Sequence, residues 1–166
     1  MENYKELVKY ILNFGEPRPD RTGTGTWGVW FETLHFQPTN GFPLLPLRYI
    51  SFNTVFHELM FFIKGETNTK YLKENRVNIW DSWADLSGNL GPVYGKQWRD
   101  WNGYDQLNTL LKNLKEDPFS RRHVVTAWNV SDLSEMALPP CHYTFQCYVK
   151  RNNYKDYNFL IMVKNF

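Results

Sequence analysis

The sequence predicts an α+β fold, with several strands in one sheet and helices packed on a face, in a single domain over residues 1–166. Three observations lead there. The 166 residues are enough for one domain with a substantial core and too few for two comfortable ones. Helical periodicity dominates the first two-thirds of the chain, while strand-like segments gather toward the end. Aromatic residues make up 17%, with 7 Trp, 10 Tyr and 12 Phe, which suits either a large buried sheet or a stacking site for planar ligands.

The elements follow in order. Residues 3–15 predict an amphipathic helix, because Tyr4, Leu7, Val8, Ile11 and Leu12 recur at helical spacing and Gly15 supplies a stop. Pro17 to Thr26 is a turn-rich loop. Residues 27–37 alternate (Trp27, Val29, Phe31, Leu34, Phe36) as strands do, until Gly41-Phe42-Pro43 breaks the pattern. Residues 51–64 form the strongest helix. Its apolar residues cover most of the surface, so nearly all of it is expected to be buried, and Gly65 ends it. Residues 68–75 predict a shorter helix. Residues 77–101 carry few periodic signals. A helix at 105–116 places Leu107, Leu110, Leu111 and Leu114 on one face and ends at Asp117-Pro118. Segments 123–129, 143–149 and 157–164 predict strands.

Bulk properties narrow the class of function. The net charge is +2, from 19 basic and 17 acidic residues, unlike a nucleic-acid coat. No apolar run approaches the roughly 20 residues of a membrane span. The N-terminus, Met1 to Glu6, is polar, so a cytoplasmic location is the default expectation. Cys141 and Cys147 lie six positions apart. On one strand that is about 20 Å, too far for a disulfide. The four histidines lack metal-ligand spacing, so no structural metal is expected.

Chemistry concentrates at Pro139-Pro140-Cys141-His142. Two prolines stiffen the approach to the cysteine. The run supports either a nucleophile or a buried structural cysteine at a strand start. Glu58 lies inside the apolar helix, where it is either desolvated or on a narrow polar stripe. Arg121-Arg122 reads as a clamp for phosphate or carboxylate, or as a solvated pair. Arg21, in a Gly/Thr loop, suits a phosphate. Trp80 and Trp83 form an aromatic wall or pack in the core.

Six motifs then stand together in order. They are Asp20-Arg21-Thr22-Gly23-Thr24-Gly25-Thr26, His57-Glu58-Leu59, Ile79 to Asp85 (IWDSWAD), Gly91 to Arg99 (GPVYGKQWR), Ser120-Arg121-Arg122 and Pro139-Pro140-Cys141-His142. In this combination the chain, from about residue 4 to 149, resembles the thymidylate synthase family, which includes the pyrimidine nucleotide hydroxymethylases. The resemblance implies a mixed β-sheet with helices packed on it. It makes Cys141 the nucleophile that adds to C6 of a dUMP ring, with methylenetetrahydrofolate as co-substrate. Glu58 resembles the glutamate that organises water and moves protons at the pyrimidine O4 and the folate. Tyr94 matches a tyrosine of the proton network at C5, and His142 supports the site. Arg21 resembles a phosphate ligand from the chain's own subunit. Arg121 and Arg122 resemble arginines that reach the partner's phosphate in a homodimer, and their charge would also favour a Cys141 thiolate. Gln146 resembles a residue close to the nucleotide, and Trp80 and Trp83 resemble aromatics near the folate.

Two departures accompany the resemblance. Arg48-Tyr49-Ile50-Ser51 stands where many members carry Lys-Arg and, at the position of Ser51, a histidine. Several later family motifs are absent: an Arg-Ser-x-x-Asp run, an asparagine that reads the base, a His-x-Tyr pair and a closing C-terminal segment. The expectation is a domain whose C-terminal part is missing, as in a truncated or split gene product or a fragment. Three functions follow. The first is a thymidylate synthase, which the presence of Trp80 favours. The second is a hydroxymethylase acting on dUMP or dCMP, and the third an inactive fragment.

Overall fold

Each segment of helical period is a helix in the computed structural model. The structure describes residues 2–20, 23–37, 41–42, 44, 47, 49–151 and 157–164, with the backbone alone for 2, 151 and 157–164. These residues fall into two compact units, Met1–Ile50 and Ser51–Phe166.

In the first unit, helix α1 (Glu2–Phe14) half-buries Tyr4, Leu7 and Ile11 along one stripe. It stops at Gly15, whose N–H returns to Ile11 O at 2.7 Å. Two short strands follow, β1 (Glu16–Arg18) and β2 (Thr26–Gly28), paired antiparallel with Pro17 opposite Trp27. The expected strands over 27–37 are therefore reduced to the single strand β2. No described strand pairs with 29–37, and Trp30 and Phe31 are exposed, so the alternation there matches no buried face. The start of the expected loop at 17–26 instead supplies most of β1.

The second unit begins with α2 (Phe52–Ile63). Ser51 is its N-cap, and its side chain accepts from the Thr54 N–H at 3.3 Å. The C-terminus closes as a Schellman motif: Gly65 N–H bonds Phe62 O and Glu66 N–H bonds Phe61 O. That motif needs a left-handed residue, which Gly65 provides at φ 78°. The near-complete burial expected of α2 is not observed. Only Phe61 and Phe62 are buried, while Phe52, Phe56 and Leu59 are about half exposed. The helix packs by one face against α3 (Lys70–Glu74) and α4 (Tyr94–Arg99).

Helix α4 escapes sequence periodicity because it has six residues, a glycine at its second position and no side-chain cap. The glycine is what packing requires. A Cβ at Gly95 would collide with the Glu66 carbonyl, so α4 crosses the end of α2 at backbone contact. Its fully buried Gln97 donates to Pro92 O at 2.9 Å and to Asp132 Oδ2 at 2.7 Å, and accepts from Asn129 Nδ2 at 3.1 Å.

Helix α5 (Gln106–Glu116) is capped by Asp105, which accepts from the Asn108 N–H at 2.9 Å. It buries Leu110, half-buries Leu107 and Leu114, and leaves Leu111 exposed, so its apolar face is narrower than expected. Strands β3 (Val124–Thr126), β4 (Thr144–Arg151) and β5 (Tyr157–Lys164) form an antiparallel sheet in that order. Val125 lies opposite Phe145, and Cys147 opposite Ile161. Val125, Cys147 and Val149 are buried on one face, while Val124 and Tyr148 stand exposed on the other. The edge of β3 is covered by Gln106. Its amide donates to Thr126 O at 2.8 Å and accepts from Thr126 N at 3.0 Å.

The α+β class is observed. In place of one mixed sheet, the described strands form two separate antiparallel sheets. Among the described residues no helix is long and apolar enough to cross a membrane.

Candidate active site

The seventeen-residue connection from β3 to β4 carries Cys141. Pro140 is buried and anchors the approach, whereas Cys141 is exposed at the bend. That exposure is at odds with a buried structural cysteine at this position, and Cys147 is the one that packs in the core. Both are free thiols. Burial pushes the Cys147 thiol up, which disfavours its thiolate.

The Cys141 main-chain N–H donates to Tyr94 Oη at 2.7 Å. Tyr94 opens α4 and is 3% exposed. Burial pushes its hydroxyl up to about 12, against a smaller opposing effect of the bond from Cys141. His142 stacks on the Tyr94 ring, with centroids 4.3 Å apart and planes 17° from parallel. Its Nδ1 is 3.5 Å from Tyr94 Oη, the outer edge of hydrogen-bonding range. Burial holds the imidazole below its ordinary value, so the neutral ring is favoured.

Glu58 sits one turn before Phe62 on α2. Burial raises its carboxyl, and the Trp80 indole N–H, donating to Oε1 at 2.8 Å, opposes part of that rise. The half-buried glutamate is thus partly desolvated, in keeping with its apolar helix. Trp80 is buried in the core, edge-on to both Phe62 and Tyr94. Glu58, Trp80, Tyr94, Cys141 and His142 therefore form one contiguous cluster.

Other expected site residues lie apart from it. Gln146, on β4, donates to Arg121 O at 3.2 Å. Arg121 and Arg122 are exposed, and among the described residues no ion pair joins them to the cluster. Trp83 is half-buried at the rim of the core. Arg21 lies outside the described residues, as does Arg48. Among the described residues no group of three His, Cys, Asp or Glu side chains is placed to hold a metal ion.

The family model for thymidylate synthase matches residues 2–162. The chain belongs to the thymidylate synthase family. Thymidylate synthases are methyltransferase-type enzymes that act on dUMP with methylenetetrahydrofolate. The cluster is compatible with such a co-substrate. Trp83 is half-buried at the rim of the core, and burial of the Glu58 carboxyl favours its protonated form. Trp80, by contrast, is 6% exposed and its N–H is engaged by Glu58, so little of its ring is left to meet a ligand directly.

Sequence reasoning missed the scaffold of this cluster. Phe62 and Trp98 each contact both Tyr94 and His142. The available signal was Phe62 lying four residues, one helical turn, beyond Glu58.

Proposed function

We propose that the chain catalyses reductive methylation of dUMP to dTMP, with Cys141 as the nucleophile and 5,10-methylenetetrahydrofolate as co-substrate. The observation that carries this reading is an exposed thiol on a turn whose own N–H is held at 2.7 Å by Tyr94 Oη. A positioned thiolate is what addition to a pyrimidine requires.

In this reading the Cys141 thiolate forms a bond to C6 of the ring. The C5–C6 electron pair moves toward C5 and O4. Glu58, protonated to a higher pH than an ordinary carboxyl, supplies a proton toward O4, directly or through water. Tyr94 stays a neutral phenol at neutral pH and relays hydrogen bonds near C5. Neutral His142 packs behind it. The folate supplies the one-carbon unit and the hydride, the C5 proton is lost after the new carbon bond forms at C5, and breaking of the C6–S bond returns the Cys141 thiolate. Trp83 offers it a stacking surface, and Trp80 acts through Glu58. Arg21 takes the nucleotide phosphate from its own subunit. Arg121 and Arg122, exposed in the single chain, reach the phosphate of a partner copy in a homodimer, and Gln146 lies beside the nucleotide. A cytoplasmic location belongs to the same reading.

Incubation with dUMP and methylenetetrahydrofolate is expected to yield dTMP and dihydrofolate in equal amounts. Tetrahydrofolate with a hydroxymethyl nucleotide would replace this reading with the hydroxymethylase. Fluorodeoxyuridylate plus the folate is expected to trap a covalent complex on Cys141. Failure of the 166-residue chain to form it would favour an inactive fragment. Cys141→Ser is expected to abolish trapping and to lower turnover by about 10³-fold or more, because a hydroxyl is far less ionised than a thiol.

A further inference from the structure

Phe62, a side chain with no chemistry of its own, touches Trp80, the partner of Glu58, and Tyr94, the partner of Cys141. The Phe62 ring is buried, 2% exposed. It is tilted on Tyr94 with centroids 4.5 Å apart, lies 5.9 Å from His142, and meets Trp80 edge-on at 6.1 Å. Its backbone is fixed to Glu58 by one turn of α2. Its other ring partners are Trp98 and the adjacent Phe61.

The cluster has two functional halves. In one, Trp80 holds the Glu58 carboxyl. In the other, Tyr94 holds the Cys141 turn and stacks on His142. We propose that Phe62 is a positioning residue that sets the spacing of these halves, so that the turn bearing the thiol stays registered against the carboxylate. The inference deepens the thymidylate synthase reading and rests on it for the roles of Cys141 and Glu58. Its geometric content is independent of that reading: removing the ring releases Tyr94 and His142, and with them the Cys141 N–H.

Phe61 supplies the control. It is its neighbour on α2, is completely buried, and has Phe62 as its ring partner among the described residues. Phe61→Leu and Phe62→Leu both remove a buried ring from the same core, so a purely structural role predicts equal effects. Unfolding free energies are measured first by urea titration. Amide exchange at Cys141 is then compared with exchange at buried Val125 in each variant. Phe62→Leu is expected to raise Cys141 exchange relative to Val125 by about 10-fold or more, and to shift the His142 titration upward toward the ordinary value. Phe61→Leu is expected to do neither. Turnover in Phe62→Leu is expected to fall at least about 10-fold below Phe61→Leu through kcat, with the KM for nucleotide little changed.

Equal exchange and equal His142 titration in the two leucine variants would overturn the inference. If Phe62→Leu fails to fold, Phe62→Met enters the same comparison. A wild-type chain without turnover, combined with the exchange difference, would leave the positioning role standing and remove the thymidylate synthase reading. Normal turnover with no exchange difference would do the reverse.

Discussion

One phenolic oxygen anchors the candidate nucleophile: Tyr94 Oη accepts the Cys141 N–H at 2.7 Å, and the same ring carries His142 at 4.3 Å. The hydroxyl is therefore a structural acceptor as well as a member of any proton relay. Tyr94→Phe keeps the stack and deletes the acceptor, leaving a part-buried N–H without its partner. It is expected to destabilise the chain by about 1–2 kcal/mol, read from urea denaturation, and to weaken covalent trapping at Cys141. Unchanged trapping would mean that the hydrogen bond does not position the thiol. The exposure of Cys141 beside buried Pro140 illustrates how fine such placement is. Adjacent residues of the Pro-Pro-Cys-His run alternate between core and solvent, which no composition of the run announces.

Among the elements, those with strong period were legible and those held by contact were not. Helices α1, α2, α3 and α5, and strands β4 and β5, lie where apolar spacing puts them. Helix α4 does not follow from spacing, because its six residues are held by Gly95 against the end of α2 and by the Gln97 network. The alternation over 29–37 misleads, since a strand needs a partner and none of the described strands pairs with it. The candidate site residues are named by motif identity alone. Their mutual spacing was not legible, because it is set by Phe62 and Trp98, which read as core. Ser51 shows the same division. It departs from the histidine common in the family, and in this chain it caps α2 through Thr54. Ser51→Ala is expected to lower stability by about 1 kcal/mol, while Ser51→Asp keeps the cap, as a pair of urea titrations would show.

For the molecule entire, two partly buried titratable groups pull stability in opposite directions with pH. Glu58 has a raised folded value. The contribution of its protonated carboxyl is fully present below the ordinary 4.5, and is lost as pH rises through the raised folded value. His142 has a lowered folded value. The contribution of its neutral ring is present above the ordinary 6.5 and is lost as pH falls through the lowered folded value. Glu58→Gln, which keeps an acceptor for Trp80, is expected to raise stability at pH 7 and to lose that advantage below about pH 4. His142→Phe is expected to flatten the decline below pH 6.5. Urea midpoints across that range test both, and parallel curves for wild type and variants would contradict them. The sheet edge at Gln106 bears on growth and association. His123 O and Ala127 N bond toward β4, so the Thr126 groups point the other way, and the Gln106 amide occupies both of them. An incoming strand would have to evict that amide before it could dock there. The three-stranded sheet is thus chemically stoppered at β3, and among the described strands an added one, from this chain or another, would have to meet the sheet at its opposite edge, β5.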